Sequence, residues 1–184
     1  VRVIAGTYGG RRLKAVPGTQ TRPTTDKVKE ALFSMIGPYF DGGQVLDLFA
    51  GTGGLAIEAV SRGCDQAVLV DKQRQAQAVI TENIALTKEP ERFRLLKTPA
   101  QTALKLLADE QQQFSYVFLD PPYRFKIIHQ LLETLSELSL LTDSARVIVE
   151  TEREDDVELP VGFELIKHHD YGITKISVYQ YNKG

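Results

Sequence analysis

The sequence predicts an α/β fold: a doubly wound, seven-stranded, mostly parallel sheet with an antiparallel last strand, entered through a short N-terminal basic arm or hairpin. Three observations predict it. Apolar runs of strand length alternate with helical repeats from residue 44 to residue 150. A glycine-rich turn follows the first of those runs. The last two apolar runs, 162–172 and 174–182, are separated by a turn alone, so they pair antiparallel. At 184 residues the chain is long enough for one principal domain. We assign residues 1–23 to the arm and 24–184 to the domain.

The arm is rich in Gly, Thr, Pro and basic side chains, with "RVIAG" as a short strand and "YGGRRL" as a turn. From Thr24 the pattern changes. Val28, Ala31, Leu32, Met35 and Ile36 recur at helical spacing, Thr24 or Thr25 can cap the start, and Gly37-Pro38 ends it. "QVLDLF" is then a strand, "GLAIEAVSRG" a helix closed by Gly63, "QAVLVD" a strand and "RQAQAVITENIALTK" a helix. "RFRLLK", "FSYVFLD" and "ARVIVE" are further strands, separated by the helices "PAQTALKLLAD" and "FKIIHQLLETLSEL". Repeated strand-helix steps demand long crossovers of one hand, which cover both faces of a parallel sheet. "ETEREDDVE", with six acids and one base, reads as a solvated loop because like charges repel.

Composition narrows the function. Hydrophobic residues make up 42% of the chain and charged residues 25%. Its apolar stretches are far shorter than the roughly 18–20 residues that cross a bilayer, and no secretory pattern opens it. A soluble, cytoplasmic protein without a membrane partner is expected. The single cysteine, Cys64, has no partner for an internal disulfide and reads as a buried small residue. His168 and His169 are neighbours in a strand-like run and point to opposite faces, so they do not share a metal, and no metal site is expected. The net charge of −2 conceals an asymmetry: Arg2, Arg11, Arg12, Lys14, Arg22, Lys27 and Lys29 against Asp26 and Glu30 leave the first thirty residues at +5 and the remainder at −7. A basic arm on an acidic body suits a polyanion.

Two motifs carry chemistry. "VLDLFAGTGG" places glycines directly after a strand and before a helix, where the backbone can approach a ligand and the helix N-terminus offers N–H groups. The lysine of a phosphate-binding P-loop is absent, which argues against nucleoside triphosphate hydrolysis. Asp71 follows Gly51 by 20 residues at the end of the second strand, where an acid accepts hydrogen bonds from ribose hydroxyls. Gly51, Gly53 and Ala56 also satisfy the permissive dinucleotide pattern, so NAD competes as the cofactor. Asp47 favours S-adenosylmethionine: a carboxylate inside an apolar strand needs donors, which the amino group of that cofactor has, whereas the pyrophosphate of NAD would be repelled.

The second motif is Asp120-Pro121-Pro122-Tyr123. It ends the fourth parallel strand, and in open α/β sheets ligands bind beyond the carboxyl ends of strands. Each proline fixes its own φ and pushes the preceding residue out of the helical region, giving a stiff rim of carbonyl acceptors. The Asp120 carboxylate and the Pro121 carbonyl could hold both hydrogens of a planar exocyclic amine, Asp120 could take up its proton, and Tyr123 offers a face for a splayed-out base.

Those motifs, in order with "RVIAGTYGGRRL", "TRPTTDKVKEALFSMI" and "YGITKISVY", resemble the RsmD family of class I, Rossmann-like methyltransferases, which methylate N2 of a guanine in bacterial 16S ribosomal RNA. The resemblance implies S-adenosyl-L-methionine held by Asp47, Phe49, Ala50, Gly51, Thr52, Gly53, Asp71, Lys72 and Ala100. It implies that Asp120, Pro121, Pro122 and Tyr123 position the amine, and that Arg11, Arg12, Arg22, Thr24 and Lys27 meet the RNA. The implied partner is 16S rRNA within a small-subunit ribonucleoprotein particle, engaged by a monomer. Adenine-N6 methylation of DNA or RNA, an NAD-dependent oxidoreductase and a non-catalytic RNA-binding module remain alternatives.

Overall fold

The computed structural model describes residues 1–17, 25–122 and 124–184. Arg22, Thr24 and Tyr123, singled out above, lie outside the described residues. The element order is α1 (Asp26–Ile36), β1 (Gln44–Asp47), α2 (Gly54–Ser61), β2 (Gln66–Val70), α3 (Arg74–Leu86), a 3₁₀ turn (Pro90–Arg92) and β3 (Phe93–Leu96). Then follow α4 (Ala100–Asp109), β4 (Phe114–Leu119), α5 (Arg124–Glu137), β5 (Leu141–Glu152), β6 (Phe163–Tyr171) and β7 (Thr174–Tyr181). The sheet is seven-stranded, in the order β3-β2-β1-β4-β5-β7-β6, and β7 runs antiparallel to both β5 and β6. The doubly wound expectation is met. No described helix is long and apolar enough to cross a membrane.

The chain divides into two compact units, Val1–Ala100 and Gln101–Gly184. In the first, β1 and β2 pair in parallel with Asp47 opposite Leu69, and β2 pairs with β3 with Val70 opposite Leu96. Both central strands read as continuous apolar runs, as strands covered on two faces should, and Val45, Leu46 and Leu69 are wholly buried. Thr25 caps α1 through its hydroxyl, which accepts the Val28 N–H at 3.4 Å, and Gly37 ends that helix.

The N-terminal segment is seated on this unit. Arg2 and Arg12 form an antiparallel bridge, Val3 N–H donates to Arg11 O at 2.9 Å and Gly10 N–H to Val3 O at 2.8 Å. Glu58 of α2, 0% exposed, accepts the Ile4 and Ala5 N–H groups and pairs with Arg62 at 2.7 Å. The buried Lys29 of α1 approaches the same carboxylate at 3.9 Å and donates to Arg2 O at 2.8 Å. Burial holds the Lys29 ammonium below the usual lysine range, although Glu58 works against the shift. At Gly6, with φ +84°, a Cβ would lie 1.9 Å from Ser61 O. Only glycine lets the hairpin backbone lie this close to α2.

In the second unit β4 and β5 are parallel, with Leu119 opposite Val149, while β7 is antiparallel to both β5 and β6. β5 is longer than the sequence pattern "ARVIVE" indicates. Pairing with β7 continues to Glu152 opposite Thr174, so the first three residues of the expected acidic loop are strand. The ladder satisfies their backbone, and Thr151 is buried while Glu152 points outward. His168 and His169 lie on β6, both exposed, and the ring centre of His169 is 4.5 Å from that of Tyr171, the two planes tilted by 33°. Cys64 is buried, as expected, and burial pushes its thiol up to about 12.

Candidate active site

The glycine turn in the first unit joins β1 to α2. Asp47, the last residue of β1, is 3% exposed. Phe49 is half-buried, Ala50 is buried, and Ala50 N–H donates to Val70 O at 2.9 Å. Gly51 has φ +60° and Gly53 φ +83°, a region that side chains with a Cβ rarely enter. A Cβ on Gly53 would also press on Leu69 Cδ2 at 3.1 Å, so a tight fit adds to the backbone's preference for glycine there. Gly53 N–H closes the turn onto Ala50 O at 2.8 Å, and the half-buried Thr52 accepts the Gly54 N–H on its hydroxyl at 3.1 Å.

Asp71 is half-buried just beyond β2 and reaches back to this turn. Its Oδ2 accepts the Gly51 N–H at 3.0 Å, while Oδ1 accepts the Gln73 N–H at 2.9 Å. A carboxylate offers about four lone-pair positions, so each oxygen keeps capacity for a hydroxyl donor. The Asp71 main chain is fixed as well: its N–H donates to Leu96 O at 3.3 Å and its carbonyl accepts from Gln77 at 2.9 Å. Lys72 is exposed, and Ala100 is buried at the first position of α4.

In the second unit, Asp120 is exposed directly after β4, Pro121 is buried and Pro122 is exposed. The acid therefore stands at the strand's carboxyl end on a rim whose stiffness comes from the two proline rings.

The basic residues differ in what they already do. Arg11 is spent locally: its Nη1 donates to Thr87 O at 2.6 Å and Leu86 O at 3.3 Å, and its guanidinium lies 5.3 Å from the centre of the Tyr8 ring. Arg2 pairs with Asp26 at 2.7 Å and Lys14 with Glu82 at 2.9 Å. Arg12 and Lys27 are exposed.

Sequence reasoning missed two residues. Glu58, the anchor of the hairpin, had a visible signal: a lone acid inside the apolar helical run "GLAIEAV". Asn83 of α3 is 0% exposed and donates from Nδ2 to Thr52 O at 2.8 Å and to Lys14 O at 3.0 Å, while its Oδ1 accepts the Lys14 N–H at 2.7 Å. Nothing in its local pattern marks it, because its partners lie 69 and 31 residues away.

Comparison with known proteins places this arrangement in a family. The family model described as conserved hypothetical protein 95 matches residues 1–180. The chain belongs to that family. It is 41% identical to Bacillus subtilis YlbH over 98% of each chain. It is 34% identical to the Haemophilus influenzae protein named ribosomal RNA small subunit methyltransferase D, covering 98% of this chain and 93% of that one. Among solved structures, Escherichia coli yhhF superposes with a TM-score of 0.85 at 31% identity, over 99% of this chain and 98% of that chain. The RsmD resemblance noted above thus extends over almost the whole conserved hypothetical protein 95 match.

Proposed function

We propose that the chain is an S-adenosylmethionine-dependent methyltransferase of small-subunit ribosomal RNA, and that its target is the exocyclic N2 amine of a guanine in 16S rRNA. The activity is supported by membership of a family whose curated relatives bear that name, and by a fold of the matching kind. The observation that carries the cofactor assignment is the Asp71 carboxylate, which ties down the glycine turn and keeps acceptor capacity on both oxygens. That geometry suits the two hydroxyls of a ribose.

In this reading Asp47, Phe49, Ala50, Gly51, Thr52, Gly53, Asp71, Lys72 and Ala100 hold the cofactor. When bound, S-adenosylmethionine supplies an electrophilic methyl group on a sulfonium. The protein's own part is positional. The Asp120 carboxylate accepts one amine N–H and the Pro121 carbonyl accepts the other, which aims the nitrogen lone pair and gives the departing proton an acceptor. Pro122 keeps the rim extended, and Tyr123 stacks on the base. Arg12 and Lys27, with Arg11, Arg22 and Thr24, contact the RNA backbone, and the substrate is an assembled small-subunit particle engaged by a protein monomer in the cytoplasm.

The test is incubation with methyl-labelled S-adenosylmethionine and small ribosomal subunits from cells lacking this protein, followed by digestion and identification of the labelled nucleoside. Label in N2-methylguanosine of 16S rRNA is the expected outcome. Label in N6-methyladenosine would transfer the rim chemistry to adenine, and unlabelled subunits would refute the proposal.

A further inference from the structure

Asn83 joins two features that the proposed function treats separately, the basic hairpin and the glycine turn. We propose that it is a positioning residue that couples them, so that RNA engaging the hairpin tightens cofactor binding, and the cofactor tightens RNA binding in return. The inference rests on the reading that the turn holds S-adenosylmethionine and the hairpin meets RNA.

The amide is fixed by chemistry on every side. Lys14 N–H needs an acceptor, which must be Oδ1, while the carbonyls of Lys14 and Thr52 need donors, which must be the two hydrogens on Nδ2. No other orientation satisfies all three groups. The side chain is wholly buried, so water cannot replace a lost partner. Glu82, the preceding residue of α3, grips the same hairpin position through the Lys14 ammonium at 2.9 Å.

At the other end the amide sets a peptide plane. Thr52 O is held by Asn83 and Gly53 N–H by Ala50 O at 2.8 Å, so the Thr52–Gly53 peptide is clamped through both of its polar groups. Gly53, free of a Cβ, leaves the rotation at that peptide's C-terminal side open, so the clamp and not sterics fixes the plane. A hairpin seated on α3 keeps the amide in place and the turn in one conformation. A displaced hairpin leaves the Asn83 Oδ1 and one Nδ2 hydrogen without partners, so the amide is no longer held in the one orientation that meets Thr52 O. Phosphate contacts that favour the seated hairpin therefore favour the clamped turn, and linkage requires the reciprocal effect.

The experiment measures binding of radiolabelled S-adenosylhomocysteine to the full chain by equilibrium dialysis, with and without small ribosomal subunits from cells lacking this protein. No methyl transfer can occur with that ligand. Wild type should bind it roughly fivefold more tightly or better when the subunits are present. Asn83→Asp keeps the shape and the acceptor but loses both donors, and should bring the ratio to about one. A merely structural role would lower both affinities and leave their ratio unchanged, which would overturn the proposal. So would a wild-type ratio of one, although the methyltransferase reading would survive it. Wild type that binds no S-adenosylhomocysteine under either condition would overturn both. As a check that needs no variant, amide hydrogen exchange at Gly51, Gly53 and Gly54 of the cofactor-free wild type should slow when subunits are added, and unchanged exchange would count against the coupling.

Discussion

The glycine turn and the acid-proline rim each end a parallel strand, yet they are built on opposite plans. The turn is held from behind by side chains scattered through the first hundred residues. Asp71 holds the Gly51 N–H, Asn83 holds Thr52 O, and α2, which the turn opens, carries the Glu58 anchor of the hairpin. The rim takes its stiffness from covalent structure, two prolines in succession, and leaves its acid exposed. A region made stiff by a polar network should fail structurally when that network is cut. A region made stiff by its own rings should fail chemically when its acid is removed, with the fold left standing.

The largest effect should come from the rim. Asp120→Ala should lower the rate of methyl transfer by about 10²–10⁴-fold, the usual range for a positioned general acid or base. Because Asp120 is exposed and follows the strand, the urea midpoint and the affinity for S-adenosylmethionine should stay near wild type. Single-turnover assays with small subunits, together with calorimetry, separate these quantities. A variant that loses stability instead would show that the rim belongs to the same structural class as the turn.

Glu58→Ala should show the converse. It strips the buried Arg62 and Lys29 of their carboxylate and leaves the Ile4 and Ala5 N–H groups without an acceptor. Removing one partner from a buried ion pair typically costs about 3–5 kcal/mol, since the remaining charge stays desolvated. Urea unfolding should report a loss of that order, and faster amide exchange over residues 3–10 should localise it. A loss below about 1 kcal/mol, the size expected for a surface pair, would mean that the hairpin is held by other contacts.

This difference also governs what could be read from the sequence. The position of the acid and the two prolines directly after a strand was legible because it is a local property, an apolar run ending in Asp120-Pro121-Pro122. The alternation of strands and helices was legible for the same reason, periodicity being a short-range property. The placing of Asp71 beside the glycine turn was legible because the spacing from such a turn through one helix to the next strand end is nearly fixed. Asn83 and Glu58 act across 31 to 69 residues, and no periodic pattern encodes which backbone groups will arrive beside them. Counting charges overstated the free basic surface. Lys29 is buried against Glu58, Arg11 is bound to carbonyls at the end of α3, and Lys14 pairs with Glu82, so these three basic side chains already serve in seating the hairpin. The extra length of β5 went unread because its acids resemble a loop until β7 pairs with them.

The smallest effect concerns the far side of the hairpin, where Tyr8 sharpens the contrast by acting as an anchor that can be titrated. Its ring is buried, and its hydroxyl donates to Glu89 Oε1 at 2.6 Å. Burial first, and the bond to Glu89 second, push the phenol up to about 12 from its ordinary value near 10. Between those values the folded protein retains a proton that the unfolded chain has lost, so stability conferred by Tyr8 is complete below pH 10 and drains away as pH rises toward 12. Lys29 contributes with the opposite sign, since burial lowers its affinity for a proton and the unfolded chain binds more. That contribution is common to wild type and Tyr8→Phe and cancels when the two are compared. Wild type should therefore lose stability more steeply than Tyr8→Phe between pH 10 and 12, and the two should run parallel from neutral pH up to pH 10, Glu89 being ionised in both states there. Parallel curves between pH 10 and 12 as well would show that the Tyr8–Glu89 contact adds nothing to the seat of the hairpin, which the contacts of Glu58, Asn83, Lys29 and Arg11 then hold without it.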